Sequence, residues 1–223
     1  MTSLIVFVLL CALTLNSPSR VYALEWSEID QADIRSAENF LNELDTYQAQ
    51  FIQVSPDGHY SEGWIWVQRP RHLRVEYAPP NNLLLVADGT YLIFIDRDID
   101  QISKYSYESG PFRFLLREDV DLTKDMIVNA VSREPDLLHI TLVDEDDFKA
   151  GSVTLSFTEN PMQLTGWTIT DPDGHQTKVS LHNTRTASTF TKSFFDSLNL
   201  MNFERTTVTE YMIRVSANRF ISF

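Results

Sequence analysis

The stretch Gly63-Trp64-Ile65-Trp66-Val67-Gln68-Arg69-Pro70-Arg71-His72-Leu73-Arg74-Val75-Glu76-Tyr77 reads as two strands and the bend between them. Successive side chains of a strand point to opposite faces, so Ile65 and Val67 share one face while Trp64 and Trp66 share the other. Proline has no N–H for a ladder, and Arg69-Pro70-Arg71 therefore ends the strand Gly63 to Arg69 before the strand His72 to Tyr77 begins. The same alternation continues outward. It predicts strands over Tyr47 to Val54, Leu83 to Ala87, Tyr91 to Asp96, Gln101 to Tyr107, Met126 to Val131, Leu137 to Val143, Ser152 to Thr158, Leu164 to Thr170 and Thr177 to Leu181. Pro56-Asp57-Gly58, Asp88-Gly89 and Asp173-Gly174 supply a positive φ or a side-chain bond to the backbone at the bends. Meandering antiparallel strands at this spacing make a sandwich, a barrel or an open barrel.

Helical periodicity shows in one early segment, where Ile34, Ala37, Phe40, Leu41 and Leu44 fall on one face and Arg35, Asn39, Asn42 and Asp45 on the other. A second, shorter helix is predicted from Gly110 to Arg117, with Pro111 in its first turn and Phe112, Phe114, Leu115 and Leu116 as its apolar bulk. A helix so short does not hold itself together in water, so its apolar side packs on the sheet or covers something bound there. After Asn183 the pattern fades: Thr184 to Thr191 is polar and irregular, Ser193 to Leu200 can finish the domain, and 201–223 is a tail without an assigned structure.

At the other end, Leu4 to Leu15 is an apolar run broken only by Thr14 and followed by Val21-Tyr22-Ala23, the pattern of a signal peptide over 1–23 with the mature chain starting at Leu24. The run is shorter than the roughly 20 residues that span a bilayer as a helix. Cys11 is the single cysteine, and bulky Leu10 before it does not fit a lipid-attachment site. A mature chain cleaved there has no thiol to oxidise, and its residues 24–200 must be held by the packing of one core. With 18 Lys and Arg against 31 Asp and Glu, the formal charge is −13, which argues against nucleic acid as a partner.

Candidate chemistry is sparse. His59, His72, His139, His175 and His182 lie far apart in sequence and form no metal-ligand spacing, and there is no nucleophile elbow or Gly-rich phosphate loop. Asp144-Glu145-Asp146-Asp147 and Asp171-Pro172-Asp173-Gly174 lack the ligands that continue a calcium loop, and read as a solvated loop and a hairpin bend. No catalytic residue, metal or cofactor is assigned. What stands out is bulk on both faces of several strands: Trp64 to Val67, Leu73, Val75 and Tyr77, Leu83 to Val86, and Leu92 to Ile95. One open sheet under a small cover does not bury all of that, which leaves a lined cavity, an interaction surface, or a sandwich core with nothing bound.

Taken together, Gly63 to Pro70, Leu73 to Tyr77, Leu84-Leu85-Val86-Ala87-Asp88-Gly89 and Leu92 to Asp96 resemble the periplasmic outer-membrane lipoprotein carrier family, LolA. Ala49 to Gln53, Pro111 to Leu116, Leu137 to Asp144 and Gly166 to Asp171 extend the likeness over roughly 34–184. The resemblance implies an α+β fold: an unclosed, curved antiparallel half-barrel with a helical lid over a hydrophobic cavity. It implies that Arg69, in the bend, gates the lid. Cavity and lid would be lined by Phe40, Leu41, Leu44, Phe51, Ile65, Val67, Leu73 and Val75, and by Leu83, Leu85, Leu92, Phe94, Phe112, Phe114, Leu115 and Leu116. The implied role is that of a monomeric periplasmic carrier, not an enzyme, which takes acylated lipoproteins from an ATP-driven inner-membrane transporter and hands them to an acceptor lipoprotein on the outer membrane. An envelope lipid-binding or stress-sensing module is the alternative on the same fold, and a hydrolase would need converging polar groups that the sequence does not display.

Overall fold

The computed structural model describes residues 26–106, 113–124, 126–144, 150–186 and 189–196. The segments assigned to the signal peptide (1–23) and the tail (201–223) lie outside them, as do Phe112 and 145–147 of the acidic cluster. The first six strands are β1 (Thr46–Val54), β2 (Tyr60–Gln68), β3 (His72–Tyr77), β4 (Leu83–Asp88), β5 (Tyr91–Asp96) and β6 (Gln101–Ser106). Five more follow: β7 (Ile127–Glu134), β8 (Leu137–Val143), β9 (Ser152–Glu159), β10 (Met162–Thr170) and β11 (Gln176–Arg185). All eleven join one antiparallel sheet in the order β6-β5-β4-β3-β2-β1-β11-β10-β9-β8-β7. Two meanders thus meet where β1 pairs with β11, and β6 and β7 remain edges at opposite ends, so the curved sheet is unclosed.

Several strands outrun their predicted limits. β2 begins at Tyr60 rather than Gly63, β7 continues to Glu134, and β11 continues to Arg185, because a ladder is made of backbone groups and tolerates polar side chains at its ends. The bends have the expected chemistry. Asp88 Oδ1 accepts from the N–H groups of Thr90 and Tyr91, both at 2.9 Å, while Gly89 takes φ +94°.

The first helix, α1 (Glu28–Asn42), starts six residues before the predicted Ile34. Ser27 is the N-cap and accepts from the Asp30 N–H, and Glu28 and Asp30 put negative charge at the positive end of the helix. Its apolar periodicity begins only at Ile34 because the opening turns face outward, with Ile29 exposed. Leu44 lies past the helix end but is buried. A single turn, α2 (Arg113–Leu116), links the two meanders.

Both faces of the β2–β5 region are covered. On the concave face Ile34, Ala37 and Leu41 of α1 pack with Ala49, Phe51, Ile65, Val67, Leu73 and Val75, and with Leu138, Ile140, Leu155 and Phe157 from the other meander. On the convex face Trp66, Leu84, Val86, Ile93 and Ile95 form a second core with Phe195, joined by Trp64, Phe190 and Phe194. The described residues after β11 therefore lie across the back of the sheet, with a 3-10 turn at Lys192–Phe195. Arg74 is pinned beneath it, pairing with Glu76 at 2.6 Å and lying 4.7 Å from the Phe194 ring centroid. This explains half of the apolar excess: alternate residues of β4 and β5 serve a second core and not a cavity. The strap was not predicted, because Phe190, Phe194 and Phe195 carry no strand or long-helix period.

Phe195 is 1 % exposed. Phe195→Ala is expected to lower the unfolding free energy by about 3–5 kcal/mol, measured by urea denaturation, whereas a loss within the range of surface substitutions would mean that the strap does not hold the convex face.

Candidate functional site

Toward the end of β1 remote from Thr46, the concave face is not filled. A pocket of about 260 Å³ opens there, lined by Phe51, Gln53, Ile65, Val75, Tyr77, Leu85, Phe94, Trp167, Ile169 and Val179. Its two polar side chains satisfy one another, the Tyr77 hydroxyl donating to Gln53 Oε1 at 2.9 Å. Burial pushes the Tyr77 phenol up from its ordinary range, against the effect of that bond, so it stays neutral. The Tyr77 ring meets Phe51 edge-on, with centroids 5.0 Å apart. Phe51 in turn lies against Gly63, its pairing partner, where a Cβ would stand 2.8 Å from the Phe51 ring and 2.1 Å from the Glu76 carbonyl oxygen. Apart from that couple the wall is mostly hydrocarbon and aromatic ring, which suits an apolar ligand.

The other end of the concave face is closed by a polar clasp. The bend places Arg69 between the C-terminal ends of both helices. Its Nη1 donates to the Leu41 carbonyl, Nε and Nη2 donate to the Arg117 carbonyl at 3.0 and 2.8 Å, and Nη2 also reaches the Glu118 carbonyl at 3.2 Å and Asn42 Oδ1 at 3.3 Å. The bend's backbone joins in, the Arg69 N–H donating to the Asp45 carbonyl and the Arg71 N–H to the Leu116 carbonyl, both at 2.8 Å. Helix C-termini leave carbonyls without intrahelical partners at the negative end of the dipole, and a cation is the donor they favour. Burial lowers the Arg69 guanidinium from its ordinary value, with the Asp45 and Asp119 carboxylates acting the other way, and it remains charged.

The segment after α2 is tied to α1 as well. Asn42 Nδ2 donates to the Val120 carbonyl at 2.9 Å and Asn42 Oδ1 accepts from the Val120 N–H at 2.8 Å. Glu38 Oε1 accepts from the Leu122 N–H at 2.9 Å. Burial pushes the Glu38 carboxyl up, and the Leu122 bond opposes it. With these bonds α1, α2 and 117–122 form one body over the concave face, and Arg69 fastens that body to the sheet.

The profile of the outer membrane lipoprotein carrier protein LolA matches residues 42–197, more than half of the chain. The chain belongs to the LolA family. An uncharacterised protein of Rickettsia prowazekii is 27 % identical over 126 residues, 56 % of this chain and 58 % of that protein, so the match spans less than two thirds of that relative. The outer-membrane lipoprotein carrier protein of Proteus mirabilis is 28 % identical over 169 residues, 71 % of this chain and 81 % of its own length. Among solved structures, a LolA superfamily protein of Nitrosomonas europaea matches 74 % of this chain and 97 % of its own at 11 % identity and a TM-score of 0.43.

The residues that the LolA resemblance names fall into groups. Phe51, Ile65, Val75, Leu85 and Phe94 line the pocket. Leu41, Leu44, Val67, Leu73, Leu92, Leu115 and Leu116 are buried in the packed concave core beside it, and Phe40 packs against that core, edge-on to Phe157. Leu83 is half-buried and shares its strand parity with Leu85. Phe112 is outside the described residues, and Phe114 is placed only as part of α2. Tyr77, whose bulk stood out in the sequence, lines the pocket too, as do Gln53, Trp167, Ile169 and Val179, which had not been singled out as cavity residues. Their alternation marked the strands, but their meeting depends on β1 pairing with β11. Among the described residues, Asp171, Asp173 and His175 come within metal-ligating distance of each other at the exposed β10–β11 bend. There Asp171 Oδ1 accepts from the N–H groups of Asp173 and His175, both at 2.9 Å, which is the hairpin role read from the sequence.

Gly63→Ala, which forces a Cβ into the Phe51 ring and the Glu76 carbonyl, is expected to cost about 1–3 kcal/mol in urea unfolding. Glu38 gives a signed pH test. Its carboxyl sits above the reference value of 4.5 in the folded state, so the contribution of Glu38 to stability falls as pH rises through that raised value. Glu38→Gln keeps the acceptor for Leu122 and is expected to gain on wild type as pH climbs above 4.5 in paired thermal melts, and a pH-independent difference would contradict the assignment.

Proposed function

We propose that this chain is a periplasmic carrier that accepts acylated lipoproteins released from the inner membrane and delivers them to the outer membrane, sheltering the acyl chains between the concave face and the lid. One observation carries this reading: a single cation, Arg69, holds two helices over an apolar concave face through bonds to their C-terminal carbonyls. The pocket of about 260 Å³ is below the roughly 300–1,000 Å³ of a small-molecule site, so acyl chains need space that the lid's apolar side chains now fill.

Opening exchanges lid–sheet contacts for lipid–sheet contacts. Burying hydrocarbon gains about 0.8 kcal/mol per methylene, and hydrogen bonds to a charged partner each contribute about 1.5–3 kcal/mol in the closed form. The difference leaves a moderate affinity, which suits a carrier that must let go. Work of this kind makes and breaks no covalent bond and needs no cofactor. Lipoprotein would arrive from an ATP-driven transporter in the inner membrane and leave to an acceptor lipoprotein on the outer membrane, with the carrier a monomer between them.

The test is release of radiolabelled lipoprotein from inner-membrane vesicles. The mature protein is expected to yield a soluble complex of one lipoprotein per chain, whereas no release and an empty cavity would point instead to an envelope sensor or binding module. Arg69→Leu is expected to leave the sheet folded by circular dichroism and to accept lipoprotein without passing it to outer-membrane vesicles. Normal transfer by this variant would sink the lid mechanism.

A further inference from the structure

Arg69 grips α1 at the end that moves least. Its bonds go to Leu41 and Asn42, the last two residues of α1, and from there the chain runs through 43–45 directly into β1. The helix has 15 residues and is about 22 Å long, so any swing away from the concave face about 43–45 carries Glu28 farthest. That far end has its own fastening. Arg133, on the edge strand β7, directs Nη2 to Asp30 Oδ1 at 2.9 Å and to Asp33 Oδ2, bridging two carboxylates one turn apart. Ser27 Oγ donates to the other Asp30 oxygen at 2.6 Å and holds that carboxylate in place. Among the described residues no other side-chain hydrogen bond or ion pair joins the first two turns of α1 to the sheet.

We propose that Arg133 is a second latch of the lid, at its swinging tip, and that its exchange between Asp30, Asp33 and water sets how often the half of the concave face floored by β8–β10 is uncovered. The proposal rests on the carrier reading for its purpose. The latch itself does not depend on that reading. Arg69 is half-buried and bonded to carbonyls, whereas the Arg133 side chain is 36 % exposed, so the tip is the end at which salt weakens the lid. Lifting the tip draws Ile34 and then Ala37 off the core they share with Leu138, Ile140 and Leu155, which enlarges the apolar cavity from the β7 edge, while Phe40 stays beside the hinge that Arg69 holds.

Hydrogen exchange read by mass spectrometry on the whole mature protein, without lipid, tests this. Arg133→Gln is expected to speed exchange of 28–36 by about two- to fivefold while β1 and β8–β10 are unchanged. Raising salt from 0.05 to about 0.5 M is expected to do the same in wild type but not in the variant. Arg133→Lys should restore most of the protection, and Asp33→Asn, which spares the Ser27 cap, should add little to Arg133→Gln. Unchanged exchange at 28–36, or an equal rise across the strands, would overturn the latch. Because no lipid enters this readout, a failure of the carrier reading shows separately, in the vesicle-release assay.

Discussion

The guanidinium of Arg69 and the carbonyls it faces join the sheet to the ends of both helices, and the cover of the concave face depends on that contact. Two helices end over an apolar surface with carbonyls that water cannot easily reach, at Leu41 and Arg117, and one planar cation with five donors answers both. A neutral residue there would take two guanidinium donors from the Arg117 carbonyl and leave the Leu41 carbonyl to backbone N–H groups such as that of Leu44 at 3.4 Å, and a lysine could not fan out to four backbone and side-chain oxygens at once. The fork is charged, partly desolvated and directional.

Such a clasp has meaning only because the sheet beneath it is held by something else. The convex core of Trp66, Leu84, Val86, Ile93 and Ile95 under Phe190, Phe194 and Phe195 stiffens β2–β5 from behind. These strands are therefore packed on the side away from the helices as well. On the proposed carrier reading, the packing behind would hold the sheet while the packing in front is exchanged for lipid. The glycine at 63 belongs to the same economy of space, since the Phe51 ring can lie flat on β2 only where no Cβ stands.

Much of the architecture was legible in the alternation and the turn residues. All eleven strands, the bends at Asp88-Gly89 and Asp173-Gly174, and the apolar face of α1 from Ile34 to Leu41 follow from local pattern. Arg69 was legible only through a family resemblance, since an arginine beside a proline has no intrinsic claim to a lid. The N-terminal turns of α1 were missed because they turn polar faces outward, and the aromatic strap was missed because its three phenylalanines follow no period. Four pocket residues, Gln53, Trp167, Ile169 and Val179, were missed for another reason: nothing along the chain says that Trp167 and Phe51 will line one pocket.

By itself, then, the sequence determined the elements and the side of each strand that is apolar, because strand and turn preferences are settled by residues within a few positions of one another. Only the tertiary structure decided which apolar side is which. It sent Ile65 and Val67 to the concave core and Trp64 and Trp66 to the convex one, put β11 beside β1, and brought Arg133 to Asp30 across about a hundred residues of chain. The reason is that alternation repeats every two residues and is blind to which face looks inward. Inside and outside are defined only when the sheet curves and something covers each face.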